Sequence, residues 1–321
     1  MLGEFDALLV VSFGGPEGPD EVMPFLERVT RGRGVPRERL EEVATHYAHF
    51  GGKSPIGERT RELVAALRAE LPELPVYLGN RFAAPFLADT VRAMREAGVR
   101  RALAFATAAL SSWSSCRAYL DDIARAVADA GEGAPVIEKL PPFALHPGYV
   151  ETCLERLRET LARLPDPSRA RVLFTAHSIP VAMARECAYE AQFEELSARV
   201  AGALGLERWQ RAYQSRSGPP SVPWLEPDVL DALRAVASEE PGATVVVAPI
   251  GFVADHMEVV YDLDVEARGE AERLGLTFVR ASAANAHPRF VRMVRALIEE
   301  HAVRPVRCAD ACCPPPRRRV P

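Results

Sequence analysis

The stretch Ala7-Leu-Leu-Val-Val11, followed by Ser12-Phe13 and the turn Gly14-Gly15-Pro16, decides the fold. An unbroken apolar run without polar alternation describes a strand covered on both faces, and parallel sheets are where such strands occur. Working outward, short apolar runs recur at 75–79, 101–107 and 135–139, separated by segments with helical spacing at 20–30, 36–50, 56–71, 85–97 and 119–130. The alternation then restarts, with helical segments at 147–164, 190–204, 227–239, 255–274 and 288–301 around apolar runs at 171–175, 210–214, 244–249 and 277–280. Strands alternating with helices imply right-handed crossovers and parallel pairing. The expected fold class is therefore α/β, with two Rossmann-like doubly wound lobes, each on a parallel four-stranded sheet. The expected domains are 1–145, 146–303 and a cysteine-rich tail over 304–321.

Composition narrows the function. The 321 residues are 48% hydrophobic and 26% charged, with 39 basic and 44 acidic side chains giving a net charge of −5. That balance excludes a nucleic-acid binder driven by phosphate neutralisation. No apolar run reaches the roughly 18–20 residues that span a bilayer, and the N-terminus lacks a basic leader, so a soluble, cytoplasmic protein is expected. Six cysteines are too few for a disulfide scaffold, yet Cys308, Cys312 and Cys313 crowd the end of the chain.

In open α/β sheets, ligands sit beyond the carboxyl ends of the strands, so the strand exits are the places to seek chemistry. His177, in Thr175-Ala-His-Ser-Ile-Pro180, leaves a strand directly into a turn. Pro180 keeps Ile179 out of the helical region, which presents His177 at the mouth. A histidine that caps the next helix fits the same pattern. The exit after 244–249 carries Asp255, His256, Glu258, Asp262, Asp264 and Glu266. Asp255 and Glu258 have the spacing of a capping box. Glu258, Asp262 and Glu266 repeat at every fourth position and so share a helix face, where like charges repel unless a cation is bound. A solvated helix face is the plainer reading of Asp262, Asp264 and Glu266. Ser111-Ser-Trp-Ser-Ser115 fits either hydrogen bonding to a polar ligand or an ordinary turn, and Arg31-Gly-Arg33 is a basic pair able to clamp a carboxylate.

Five stretches resemble the ferrochelatases, which insert ferrous iron into a porphyrin: VVSFGGPEG at 10–18, HFGGKSPI at 49–56, TAHSIP at 175–180, YQSRSGPPSVPWLEPDV at 213–229 and APIGFVADHMEVVYDLDVE at 248–266. The resemblance runs from Leu8 to about Leu297 and implies two Rossmann-like lobes with the porphyrin in the cleft between them. It implies His177 as the active-site histidine, either base or iron ligand, with Glu258 on the same side of the macrocycle and Asp255 and His256 flanking them. Asp262 and Glu266 match an acidic line along which iron approaches. Phe13, Arg31, Arg33, Ser54, Ser112 and Trp224 are the implied porphyrin contacts. Phe13 stands where some relatives carry a metal-binding tyrosine, so that ligand is missing. The Arg31/Arg33 loop and the SVPWLEPDV segment look closer to the bacterial branch acting on coproporphyrin III, so coproporphyrin III is the expected substrate. Protoporphyrin IX and a non-catalytic haem or porphyrin carrier are the alternatives.

Some members of the family hold a 2Fe–2S cluster on one internal and three terminal cysteines. The resemblance therefore implies a cluster on Cys153, Cys308, Cys312 and Cys313, with a zinc site or free thiols as alternatives. Pro314–Pro316 and Arg317–Arg319 read as a mobile terminus. The expected partners are porphyrin and ferrous iron, with a transient partner in the haem pathway, no nucleic acid and no transmembrane segment.

Overall fold

The computed structural model describes residues 4–219, 221–308 and 312–315; the end of the expected mobile terminus lies outside them. Among these residues, eight strands form two parallel four-stranded sheets. In the first, β1 (Ala7–Ser12), β2 (Val76–Asn80), β3 (Arg101–Ala106) and β4 (Val136–Lys139) stand in the order β2-β1-β3-β4. All six residues of β1 are buried, as expected of a central strand, with Leu8 in register with Val76 on one side and Leu103 on the other. Helices α1 (Pro19–Thr30), α2 (Arg37–Ala48), α3 (Ile56–Glu70), α4 (Leu87–Glu96) and α5 (Ala118–Ala130) connect these strands.

The second sheet repeats the plan. Strands β5 (Arg171–His177), β6 (Trp209–Gln214), β7 (Thr244–Ala248) and β8 (Thr277–Arg280) stand in the order β6-β5-β7-β8. They are joined by α6 (Pro147–Leu161) at the start, α7 (Val181–Ala184), α8 (Tyr189–Leu204) and α9 (Val229–Glu239), and then by a broken helix. That helix, expected as one piece over 255–274, is α10 (Met257–Tyr261), a π-turn (Asp262–Ala267) and α11 (Arg268–Arg273) in succession. The chain closes with α12 (Pro288–Val303).

By internal contacts, one compact unit comprises residues 1–107, 119–141 and 294–307, and the other 108–118, 142–293 and 308–321. Each unit takes segments from both halves of the sequence. In the second unit, Val229, Leu233 and Val236 of α9 pack with Val245 and Val247 of β7. Val259, Leu263, Ala267 and Ala271 of the broken helix complete that core. Truncating a fully buried member such as Leu263 to alanine costs roughly 2–5 kcal/mol. This packing fixes the polar side of the broken helix. Among the described residues, no helix is long and apolar enough to cross a membrane.

Two glycines shape the strand exits. Gly14 has φ +79, and a Cβ there would lie 2.9 Å from the Asn80 Cβ. Gly251 approaches β5 so closely that a Cβ would lie 2.4 Å from that of Ala176, while its N–H donates to the Thr175 carbonyl at 3.0 Å. Any side chain at Gly251 would push the loop after β7 away from the strand that ends in His177.

Candidate active site

His177 is the last residue of β5. Its Nδ1 lies 2.5 Å from the Ser178 carbonyl oxygen. A carbonyl only accepts, so Nδ1 carries a proton and donates to it, and Nε2 is the nitrogen left to face the site. The buried Tyr189 hydroxyl donates to the His177 carbonyl at 2.8 Å, fixing the backbone beneath the ring. These contacts anchor the ring in one orientation and are more than helix capping requires.

Nε2 faces Glu258, 3.6 Å from Oε1, in the first turn of α10. His256 Nδ1 approaches the other carboxylate oxygen at 3.9 Å. Burial by itself would lower the His177 pKa, but the Glu258 carboxylate and the Ser178 carbonyl outweigh it and raise the value above the usual histidine range. Burial would raise that of Glu258, but His177 and His256 bring it down to about 2. His256 moves down, driven first by burial, and so stays neutral at neutral pH. Glu258 is thus ionised across the neutral range and stabilises the imidazolium form of His177.

Asp262 opens the π-turn one turn beyond Glu258. Burial, reinforced by the like charges of Glu258 and Glu266, pushes its carboxyl up to about 7. Among the described residues, no group of three or more His, Cys, Asp or Glu forms a ready-made metal cage. Glu266, Asp262 and Glu258 recur at every fourth position of the broken helix, with His177 next to Glu258.

Asp255 does not cap α10. His256 holds the cap position without a side-chain cap bond. Asp255 is buried instead, where it accepts from Arg280 Nη1 at 2.8 Å and Asn285 Nδ2 at 2.7 Å. Asp264 likewise meets Arg280, whose Nε donates to it at 2.8 Å. Arg280, at the end of β8, thereby ties the loop before α10 to the π-turn. Sequence spacing gave no sign of this role, because its partners lie 25 and 16 residues away. Gln214 and Ser215, at the exit of β6, were also missed and are taken up below.

In the first unit, the Phe13 ring packs on Phe82 at 4.7 Å and on Phe25 at 6.1 Å. Arg81 lies over the Phe82 and Tyr119 rings at 4.9 and 4.4 Å and is ion-paired with Asp122. Arg31 and Arg33 are exposed, and among the described residues neither forms an ion pair. Desolvation of its guanidinium, and then repulsion from the Arg81 cation, lowers the Arg33 pKa. Ser54 is buried, and its N–H donates to the Pro16 carbonyl at 2.9 Å, so it braces the turn after β1.

In the second unit, Ser112 is buried and forms a reciprocal cap with Ser115 on a π-turn over Trp113–Arg117. Of the two readings of that hydroxyl-rich exit, the turn accounts for Ser112. Trp224 is half-buried, with Nε1 buried and without a hydrogen-bond partner among the described residues. It occupies space that a side chain on Gly218 would fill, a Cβ there falling 2.5 Å from Nε1.

The cysteines group differently from the expected set. Cys153, on α6, is buried, its thiol is pushed up to about 12 by burial, and its hydrogen-bond contact is the Tyr149 hydroxyl. Cys308 instead lies 3.9 Å from the Cys116 sulfur, Cys312 and Cys313 are 3.8 Å apart, and Cys313 senses Cys187 and Cys308. A cluster requires four converging thiolates. No three of the four expected cysteines are arranged around a common metal position. The described geometry does not fit a cluster on Cys153, Cys308, Cys312 and Cys313. A thiol resisting ionisation is also a poor ligand.

A histidine beside carboxylates has the groups that an exchange of protons for a metal ion calls for, which is the reaction of metal chelatases. Solved structures share the fold. SirB from Bacillus subtilis, determined with Fe3+, superposes with a TM-score of 0.59 at 12% identity over 93% of this chain and 97% of its own. DR2241 from Deinococcus radiodurans, described as similar to chelatases, gives 0.55 at 15% identity, covering 94% of this chain and 56% of its own. The ferrochelatase family model matches residues 5–302, and the chain belongs to that family. It is 52% identical over 304 residues to the coproporphyrin III ferrochelatase of Mycolicibacterium vanbaalenii, covering 92% of this chain and 89% of that one. It is 54% identical over 300 residues to that of Mycobacterium tuberculosis, covering 92% and 86%. Against a ferrochelatase of Rhodopirellula baltica it is 49% identical over 304 residues, covering 93% and 87%. The protein is thus an enzyme of haem synthesis that takes ferrous iron as substrate.

Proposed function

We propose that this enzyme inserts Fe2+ into coproporphyrin III, releasing two pyrrole protons, with His177 as the base. The observation that carries this reading is the His177–Glu258 pair, with Nδ1 held by the Ser178 carbonyl and Nε2 3.6 Å from the carboxylate. Nε2 takes a pyrrole N–H proton, and Glu258 stabilises the imidazolium until the proton leaves for solvent; the second proton follows the same route. Each loss leaves a nitrogen lone pair for iron, so charge balances as one Fe2+ replaces two H+. Ferrous iron must shed its waters to enter the macrocycle, and the carboxylates of Glu266 and Asp262 supply replacement oxygens in turn.

The choice of porphyrin rests on two supports. Relatives 52% and 54% identical are named coproporphyrin III ferrochelatases. Arg31 and Arg33, exposed and without ion pairs among the described residues, suit the additional propionates of coproporphyrin over protoporphyrin. The test is anaerobic Fe2+ insertion followed by absorbance, with coproporphyrin III and protoporphyrin IX side by side. Faster turnover of coproporphyrin III is expected. Preference for protoporphyrin IX overturns the substrate assignment, and inactivity on both points to a porphyrin-binding protein instead.

A further inference from the structure

The segment around Tyr213–Val229 resembles the family strongly, yet the chemistry above uses none of its residues. β6 ends in Gln214, which is 1% exposed. Its backbone carbonyl accepts from the Ser178 N–H at 2.7 Å, next to His177, and its side-chain Nε2 donates to the Glu258 carbonyl at 2.7 Å. Ser215 follows with φ +64, a left-handed conformation disfavoured for any residue with a Cβ. From there its hydroxyl donates to Asp262 Oδ2 at 2.5 Å. Two consecutive residues thus grip two consecutive turns of the broken helix, one by its backbone and the other by its carboxylate.

We propose that Gln214 and Ser215 form a positioning clamp, in which the Ser215 hydroxyl holds the Asp262 carboxylate in line between Glu258 and Glu266 for the hand-over of iron. The proposal rests on the reading of that line as the iron path. Without a fixed donor, repulsion from Glu258 and Glu266 swings Asp262 towards other rotamers, and the line is broken at its middle. The unfavourable backbone at Ser215 fits this role, since strain of this kind persists where the surroundings hold it and accompanies function. Ser215 acts through Asp262.

The left-handed backbone makes the test clean. Ser215→Gly removes the hydroxyl and suits φ +64 better than serine, so the fold is expected to be retained and the melting temperature not to fall. Ser215→Asn also tolerates the left-handed region and restores a donor, as an amide. Anaerobic insertion kinetics are measured while varying Fe2+ and porphyrin separately. Ser215→Gly is expected to raise KM for Fe2+ by about tenfold, the factor carried by one hydrogen bond to a charged group, with KM for porphyrin unchanged. Ser215→Asn is expected to recover most of that loss. Equal rises in both KM values, or no change in that for Fe2+, overturn the clamp. Asp262→Asn separates the two readings: if it raises KM for Fe2+ while Ser215→Gly does not, the clamp is wrong and the iron line stands. If Asp262→Asn leaves KM for Fe2+ unchanged, the iron line itself is wrong and the clamp falls with it.

Discussion

The two sheets have the same strand order and the same parallel pairing, yet their exits are chemically opposite. The exits of the first unit carry Phe13, Phe82 and Arg81, rings and a cation paired with Asp122. Those of the second carry His177, Ser215, Glu258 and Asp262, a base and a row of acids. One scaffold thus presents either aromatic rings with a paired cation or a histidine with a row of carboxylates, according to a handful of residues beyond the strand ends. Topology supplies the places, and side chains supply the reaction.

The sharpest way to break this contrast is to exchange activity losses between the two sets of exits. His177→Ala is expected to lower kcat for iron insertion by about 100-fold or more, the share of a positioned base, while Phe13→Ala, which loses only ring packing, costs far less. Comparable losses in the two variants would falsify the division of labour. The second test is pH. The proposed mechanism uses His177 neutral and Asp262 ionised, and both pKa values are raised, the latter to about 7. The rate is therefore expected to fall as pH drops through about 7, and the acid limb of Asp262→Asn to be shallower. A flat profile from pH 6 to 8 contradicts this (measured with saturating substrates, at about constant ionic strength).

A further pair of changes sharpens the role of the first unit. The double variant Arg31→Ala/Arg33→Ala is expected to lose about tenfold in kcat/KM for coproporphyrin III and less for protoporphyrin IX. Equal losses mean that the pair does not read propionates. The smallest effect is on stability. Because the folded pKa of Asp262 lies near 7 and its ordinary value is 3.8, the unfolded chain gives up this proton first as pH rises. The charge thus weighs against folding increasingly above pH 4, fully above pH 7. Asp262→Asn should stabilise the fold at pH 8 by on the order of 2–4 kcal/mol, an advantage that thermal melts should show vanishing near pH 4.

Much of this was legible in the chain itself. The apolar runs of β1, β5 and β7 announce central parallel strands, because burial on both faces leaves no room for alternation. His177 and Glu258 stood out because strand exits are few and each was followed by turn residues. What escaped was whatever depends on partners distant in sequence. Asp255 matched a local cap pattern, while Arg280 and Asn285 claimed it from 25 and 30 residues away. The resemblance implies Cys153, yet it is Cys116 whose sulfur lies 3.9 Å from that of Cys308. No periodicity reports which sulfurs meet. The Ser215 hydroxyl bond was hidden for the same reason, since its acceptor lies 47 residues on.

The π-turn over Asp262–Ala267 has a consequence for the phase of the helix. At 3.6 residues per turn, positions spaced by four drift by about 40° per step, so a strict fourfold repeat winds away from any fixed direction. A turn closed to the fifth residue rotates less per residue and takes that drift back. Two rows here keep the strict spacing: Glu258, Asp262 and Glu266 in one, and buried Val259, Leu263, Ala267 and Ala271 in the other. The wide turn lets the acidic row and the buried row run parallel along one rod. Deleting a single residue within it would not merely shorten the helix. Everything beyond would be rotated by about 100°, setting the core against the carboxylates, so the spacing tolerates side-chain substitution far better than a change in length.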